Sequence, residues 1–123
     1  MKELFCGQCC EKLSRHPLQH GDAKMVMIHD ARPLISEGKY LLAEELSYEF
    51  PVPITHFVDM NSMLLVDHPD DKRLTGCCGP GFTDKYNQVC WKCRLEIGIL
   101  YADCIGSHFL AINTNRLTKQ PKW

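Results

Sequence analysis

Two C-x-x-C pairs constrain the folding of this chain more than any other sequence feature. The first pair is Cys6 and Cys9, and the second is Cys90 and Cys93. Zinc takes four tetrahedral ligands, and a tight turn between two cysteines directs both sulfurs to one side. Gly7 suits such a turn because glycine adopts backbone conformations that other residues resist. A zinc ion bound by both pairs would hold the N-terminal segment against the C-terminal part of the chain.

The other four of the eight cysteines leave alternatives open. Cys78 and Cys104 lie near the second pair and could form a local site with it, or part of a second zinc site. The first pair would then need Cys10 and a histidine, the candidates being His16, His20 and His68. Cys77 adjoins Cys78, and two neighbouring cysteines do not readily bind one tetrahedral ion. For Cys10, Cys77 and Cys104 taken singly, burial as small apolar side chains is the simpler interpretation.

The first residues of the chain indicate in which cellular compartment the protein is expected. No secretory signal is visible, because a cysteine cluster follows Lys2 where a long apolar run should stand. The longest apolar runs, such as 97–102, are too short to cross a bilayer. We therefore expect a cytoplasmic protein without a membrane partner. Thiols stay reduced in that compartment, so metal binding is the expected use of this many cysteines.

Length and patterning predict the fold class. The 123 residues, with 45% hydrophobic and 24% charged side chains, fit one globular domain over residues 1–123. Short apolar segments bounded by turn-forming residues predict strands at 24–29, 39–43, 54–58, 63–66, 95–101 and 108–112. We predict an α+β domain that is mainly antiparallel β, loop-rich and stapled by zinc, because so small a core gains stability from a metal.

Parts of the sequence resemble a known group of proteins. The stretch LTGCCGPGFTDKYNQVCWKC, its continuation EIGILYADC, and the segments FCGQC and HPDD are similar to small cysteine-rich bacterial proteins of uncharacterised function. That resemblance implies no activity or substrate. It implies that six cysteines belong to one pattern, namely Cys6, Cys9, Cys78, Cys90, Cys93 and Cys104. The two C-x-x-C pairs also resemble a zinc ribbon, although they lack its short spacing.

The sequence contains no motif that assigns a catalytic residue. A P-loop, a dinucleotide-binding glycine motif and the H-x-E of zinc deaminases are all absent. The segment 67–71 (DHPDD) has residue types found in hydrolytic metal sites, yet aspartates at such a place more often cap or turn the chain. A thioredoxin-like dithiol precedes a helix in a βαβ unit, and neither C-x-x-C precedes a helical pattern.

Three functional classes follow from these observations. The lack of an enzyme motif and the acidic, apolar middle of the chain (44–66) favour a zinc-binding module that engages another protein. A nucleic-acid-binding zinc ribbon is the alternative, because the C-terminal third is mildly basic. The basic residues of that third are Lys85, Lys92, Arg94, Arg116, Lys119 and Lys122. A C-x-x-C thiol oxidoreductase is the third class. For the basic residues themselves, a solvated surface is the simpler interpretation.

Overall fold

A computed structural model describes residues 3–25, 33–46, 49–74, 80, 84–103 and 107–119. Within these ranges the chain forms nine short strands: β1 (Phe5–Cys6), β2 (Gln19–His20), β3 (Lys39–Leu42), β4 (His56–Val58), β5 (Leu65–Asp67), β6 (Gln88–Cys90), β7 (Glu96–Tyr101), β8 (Phe109–Ile112) and β9 (Leu117–Thr118). Four 3-10 helices of three residues each lie between them, at Ala23–Met25, Ala43–Glu45, Asp71–Arg73 and Thr114–Arg116.

Seven of these strands form one sheet in the order β2-β3-β4-β8-β7-β6-β5, and β1 pairs with β9 in a separate two-stranded sheet. All pairs are antiparallel except β2 with β3, which is parallel. The prediction of a small, mainly antiparallel β fold is therefore confirmed. The only helices in the described ranges are the 3-10 turns. None of them has the length and apolar character needed to span a membrane.

The middle of the large sheet is buried on both faces. All four residues of β8 are buried, and they alternate between two apolar clusters. Leu110 and Ile112 belong to the cluster that also contains Cys6 and Cys90. Phe109 packs on the other face, with its ring centroid 5.3 Å from that of Phe57. A run of consecutive apolar residues is what a strand covered on both faces requires.

A buried asparagine joins two strands beside the second C-x-x-C. Asn87 is fully buried, and its side-chain amide donates to the carbonyl of Leu100 over 3.0 Å while its carbonyl accepts from the Leu100 N–H over 2.7 Å. The side chain thus forms the two backbone hydrogen bonds with Leu100 that a neighbouring strand would otherwise form. This contact holds the start of β6 against β7, and β6 ends at Cys90.

Most predicted strands correspond to observed ones, with shifted ends. The segments predicted at 39–43, 54–58, 63–66, 95–101 and 108–112 contain β3, β4, most of β5, β7 and β8. The strand predicted at 24–29 is wrong at its start, because Lys24 and Met25 belong to a 3-10 helix. There the Asp22 carboxylate accepts the Lys24 N–H over 2.9 Å and turns the chain. Residues 26–29 lie outside the described ranges.

Candidate metal centre

The two C-x-x-C pairs meet in the fold. The ligand atoms of Cys6, Cys9, Cys90 and Cys93 all lie within 4.8 Å of one another. The Sγ atoms of Cys6 and Cys93 are 3.5 Å apart, and those of Cys9 and Cys90 are 3.7 Å apart. Cys6 and Cys90 are fully buried, whereas Cys9 and Cys93 are half-buried. The group therefore has two inner and two outer thiols.

The first pair sits in a tight loop that we call the N-terminal knuckle (residues 6–11). The Cys6 N–H donates to the carbonyl of Glu11 over 2.8 Å, and the Cys10 N–H donates back to the carbonyl of Cys6 over 3.0 Å. The Gln8 N–H donates to the Cys6 sulfur over 3.4 Å. The loop thus directs a backbone donor at a sulfur, which favours its thiolate form.

The second pair repeats this arrangement in the C-terminal knuckle (residues 90–95). The Cys90 N–H donates to the carbonyl of Leu95 over 2.9 Å, and the Arg94 N–H donates to the carbonyl of Cys90 over 3.0 Å. The Lys92 N–H donates to the Cys90 sulfur over 3.4 Å. Both knuckles therefore use the same three hydrogen bonds at the same relative positions.

Both knuckles also turn through a left-handed residue directly after the second cysteine. That residue is Cys10 in one, with φ of 65°, and Arg94 in the other, with φ of 68°. These are the only described non-glycine residues with positive φ. Left-handed backbone is unfavourable for residues with a Cβ, so the surrounding hydrogen bonds must maintain it. The sequence predicted that Gly7 would adopt the unusual backbone conformation of this turn, whereas Cys10 adopts it in the structure.

Gly7 has a different role, which is close approach. Its N–H donates to the carbonyl of Arg116 over 2.9 Å, and a Cβ added at Gly7 would lie 2.6 Å from that oxygen. The equivalent position of the other knuckle is Trp91, whose residue surface is 45% exposed. Glycine is thus required where the knuckle touches the chain beside β9. The matching position can carry a large side chain because it faces solvent.

Pairing of distant segments brings the knuckles together. In β1 and β9, Phe5 lies opposite Thr118 and Cys6 opposite Leu117, which places the N-terminal knuckle against the end of the chain. Arg116 then links both sides, because its guanidinium Nη1 donates to the carbonyl of Glu96 at the start of β7 over 2.9 Å. The knuckle contacts are therefore part of the tertiary structure.

The pKa values of the thiols reflect their enclosure. Burial raises the pKa of Cys6 to about 12, although the N–H groups of Cys9 and Gln8 act in the opposite direction. Burial also raises the pKa of Cys90. At Cys93 burial again acts upward, but the Leu95 N–H and the neighbouring thiols outweigh it and lower the pKa. Inner thiolates are unfavourable here without a compensating positive charge, which a coordinated divalent ion would supply.

The sulfur geometry fits a tetrahedral ion. With a Zn–S bond of about 2.3 Å, two sulfurs on one edge of the tetrahedron are about 3.8 Å apart. Two of the six separations, at 3.5 and 3.7 Å, are close to that value, and all six lie within 4.8 Å. Four thiolates would fill the coordination sphere and leave no position for a substrate or a catalytic water. The arrangement can therefore hold a metal ion in a structural role.

The other predicted ligands do not join this group among the described residues. Cys10 follows Cys9 directly but is not one of the four clustered cysteines. The three candidate histidines contact other partners: His16 the carbonyl of Pro17, His20 the carboxylate of Glu45 and His68 the backbone N–H of Asp70. Cys77, Cys78 and Cys104 lie outside the described ranges.

Two aspartates of the acidic segment 67–71 make structural contacts. The Asp70 carboxylate accepts the Lys72 N–H over 3.2 Å and caps the 3-10 helix Asp71–Arg73. The Asp67 carboxylate accepts a hydrogen bond from the Gln88 side chain over 2.8 Å. The contact of Asp70 agrees with the interpretation of these aspartates as turn and cap residues. Asp67 instead ends β5, and its contact joins that strand to Gln88 opposite it in β6.

Two of the basic residues in the C-terminal third take part in internal contacts. The Arg116 guanidinium carbon lies 4.8 Å from the centroid of the Tyr86 ring. Lys92 forms an ion pair with Glu11 across the two knuckles, with 3.2 Å between Nζ and Oε1. These contacts reduce the positive surface available to a nucleic acid.

Comparison with family models, with curated proteins and with solved structures gives no match to this chain.

Proposed function

We propose that this chain is a zinc protein in which one ion, bound by Cys6, Cys9, Cys90 and Cys93, fastens the two knuckles together. The observation that carries the proposal is the meeting of four sulfurs within 4.8 Å from distant parts of the sequence. Two knuckles with the same hydrogen bonds support it, because amide donors to sulfur stabilise bound thiolates. A cytoplasmic location fits, since the site needs reduced thiols.

The role of the ion in this proposal is structural. Zinc binding in small domains contributes directly to the free energy of folding, because no preformed site exists in the unfolded chain. Here the ion would attach residues 6–11 to the hairpin of β6 and β7. The folded surface, rather than the metal, would then engage a partner. We propose another protein as that partner, since two of the basic residues expected to contact nucleic acid are engaged internally.

The first experiment is the metal content of the purified protein, with thiols counted before and after displacement of the metal. We expect about one zinc per chain and four protected thiols, matching the clustered group. Iron in place of zinc would keep the site and change the metal, because tetrahedral sulfur sites accept both. Two zinc ions would bring Cys78 and Cys104 into the ligand set. A chain without metal and with oxidisable thiols would overturn the proposal and favour thiol redox chemistry.

Adjacent cysteines provide a matched control. Cys9→Ser removes a thiol of the clustered group, whereas Cys10→Ser changes the next residue, which is outside it. We expect Cys9→Ser to lower metal content and thermal stability, and Cys10→Ser to preserve the metal content. Equal loss of metal in the two variants would contradict the ligand set.

A further inference from the structure

A groove beside the C-terminal knuckle has no role in metal binding. It has a volume of about 500 Å³, and its apolar lining consists of Leu64, Leu65, Val66 and Trp91. Trp91 is the one large hydrophobic side chain that is exposed in the described part of the chain. Knuckle geometry does not require tryptophan at this position, because the N-terminal knuckle has Gly7 there. An exposed tryptophan over an apolar groove is a typical anchor of an interaction surface.

Two residues that line the groove, Leu65 and Val66, belong to an edge strand. β5 is the last strand of the seven-stranded sheet and pairs with β6 alone among the described strands. Ser14 pairs with Met63, and the Leu64 N–H donates to the carbonyl of Leu13. That neighbouring segment therefore covers the chain only up to the start of β5. An edge strand flanked by an apolar groove can accept an extended peptide through its backbone.

Charges at the groove determine what kind of peptide fits. Glu11 is neutralised by Lys92, with Oε1 and Nζ 3.2 Å apart, and Lys12 by Glu3, with the corresponding atoms 3.1 Å apart. Arg15 also lines the groove and is exposed, and no ion pair of the described residues includes its guanidinium. The uncompensated charge of the groove is thus positive.

We propose that this groove binds an extended segment of another protein that carries a carboxylate beside an apolar side chain. The apolar side chain would pack on Trp91 and Val66, and the carboxylate would pair with Arg15. The proposal rests on the proposed function, because it names the surface through which the zinc module engages its partner. A single-stranded nucleic acid fits less well. A phosphate backbone would need several cations, and here the few cations lie beside the negative charges of Glu3 and Glu11.

The test is selection from a library of random peptides displayed on phage, using the purified, metal-loaded chain as bait. We expect the selected peptides to share an acidic residue next to an aliphatic or aromatic one. A labelled synthetic copy of the best peptide should bind Trp91→Ala about tenfold or more weakly. Arg15→Glu should select basic residues in place of acidic ones. Lys24→Glu is the matched charge-reversal control, because Lys24 is exposed and lines no part of the groove.

Four results would overturn the proposal. Two concern the peptide: the selected peptides share no acidic–apolar pattern, or their affinity is unchanged in Trp91→Ala and Arg15→Glu. The other two point to a different occupant: the chain forms concentration-dependent dimers that Trp91→Ala abolishes, or it binds an oligonucleotide and this binding needs Trp91. Metal content is measured on the same sample. Metal without peptide binding removes the groove proposal alone. Missing metal removes the zinc site, and the groove is still judged by its response to Trp91→Ala and Arg15→Glu.

Discussion

Cys10 and Arg94 share one backbone conformation, with φ of 65° and 68°, at the same position of two knuckles. The N–H of each donates over 3.0 Å to the carbonyl of the first cysteine in its own knuckle. The tight turn therefore depends on the backbone, and the side chain at this position is under steric strain.

Arg94→Gly should stabilise the protein. Glycine adopts the left-handed conformation without steric penalty, which outweighs its greater entropy loss on folding. We expect the free energy of unfolding to rise by about 0.5–1 kcal/mol, measured by urea unfolding of the metal-loaded chain. Arg94→Ala is the control, since it removes the same side chain and keeps the strain. A stability of Arg94→Gly below that of Arg94→Ala would show that the conformation is not strained.

Gly7→Ala should destabilise the protein. The new Cβ would lie 2.6 Å from the backbone oxygen of Arg116, so the knuckle or the chain before β9 must move. Overpacking of this kind costs about 1–3 kcal/mol, and thermal unfolding would measure it. Trp91→Ala changes the equivalent position of the other knuckle, where we expect less than half that loss. Equal losses in the two variants would show that the close contact at Gly7 has no special role.

Removal of the metal should weaken the hydrogen bonds of the knuckles more than those of the large sheet. In chelator, we expect faster hydrogen exchange at the N–H groups of Gly7 and Cys90, which donate to Arg116 and Leu95. The Thr55 N–H, which donates to Ile112 in the middle of the large sheet, is the internal control. Unchanged exchange at the knuckle amides would contradict a structural role for the ion. An equal increase in exchange rate at all of these amides would show that the whole fold depends on the metal.

His56 should make stability depend on pH. Burial, helped by the positive charge of Lys119, lowers its pKa below the ordinary value of 6.5. As pH falls below 6.5, the unfolded chain takes up a proton that the folded chain resists. The stability that is fully present above 6.5 is therefore lost progressively through the lower, folded pKa. Urea unfolding at a series of pH values should show this decline.

His56→Gln is the matched variant for that titration. It keeps a polar side chain and cannot be protonated, so its stability should change less over the same pH range. Comparison of the two proteins at each pH separates His56 from any effect of acid on the metal site. Parallel curves for wild type and variant would mean that His56 does not contribute.

Asn87→Ala should destabilise the fold near the metal centre. The backbone N–H and carbonyl of Leu100 would lose the partners that the buried asparagine supplies. A buried group left without a hydrogen bond costs about 1–3 kcal/mol, and thermal unfolding would measure the loss. Asn115→Ala is the control, because Asn115 is exposed. Similar stabilities of the two variants would show that the bridge between β6 and β7 is unimportant.

The sequence predicted the cysteines of the candidate site better than the backbone features that hold them in place. The C-x-x-C spacing indicated the four cysteines that the fold brings together, because a tight turn determines the geometry of this local pattern. The same reasoning left Cys78 and Cys104 open as alternatives. The left-handed residues could not be identified in this way, since Cys10 and Arg94 are not the glycines usually found at such positions. The close approach of Gly7 to Arg116 depends on the pairing of β1 with β9, which no local pattern reveals.

Strand existence was similarly easier to predict than strand ends. Apolar runs such as 95–101 and 108–112 lie in buried central strands, where hydrophobic pattern and burial agree. The segment at 24–29 has comparable apolar content, but the Asp22 side chain turns its first residues into a 3-10 helix. The groove at Trp91 also went unpredicted, because it joins residues 11–15, 64–66 and 91 from three separate segments.

The great sequence distance between facing sulfurs has a consequence for biosynthesis. Cys6 and Cys93 lie 87 positions apart, so an ion between them closes a loop that contains most of the chain. By the entropy relation for cross-links, such a closure removes about 4–5 kcal/mol of freedom from the unfolded chain. During translation the first knuckle leaves the ribosome long before the second exists. A nascent chain therefore holds half a site, and a metal ion can join the two knuckles only after Cys93 has been added.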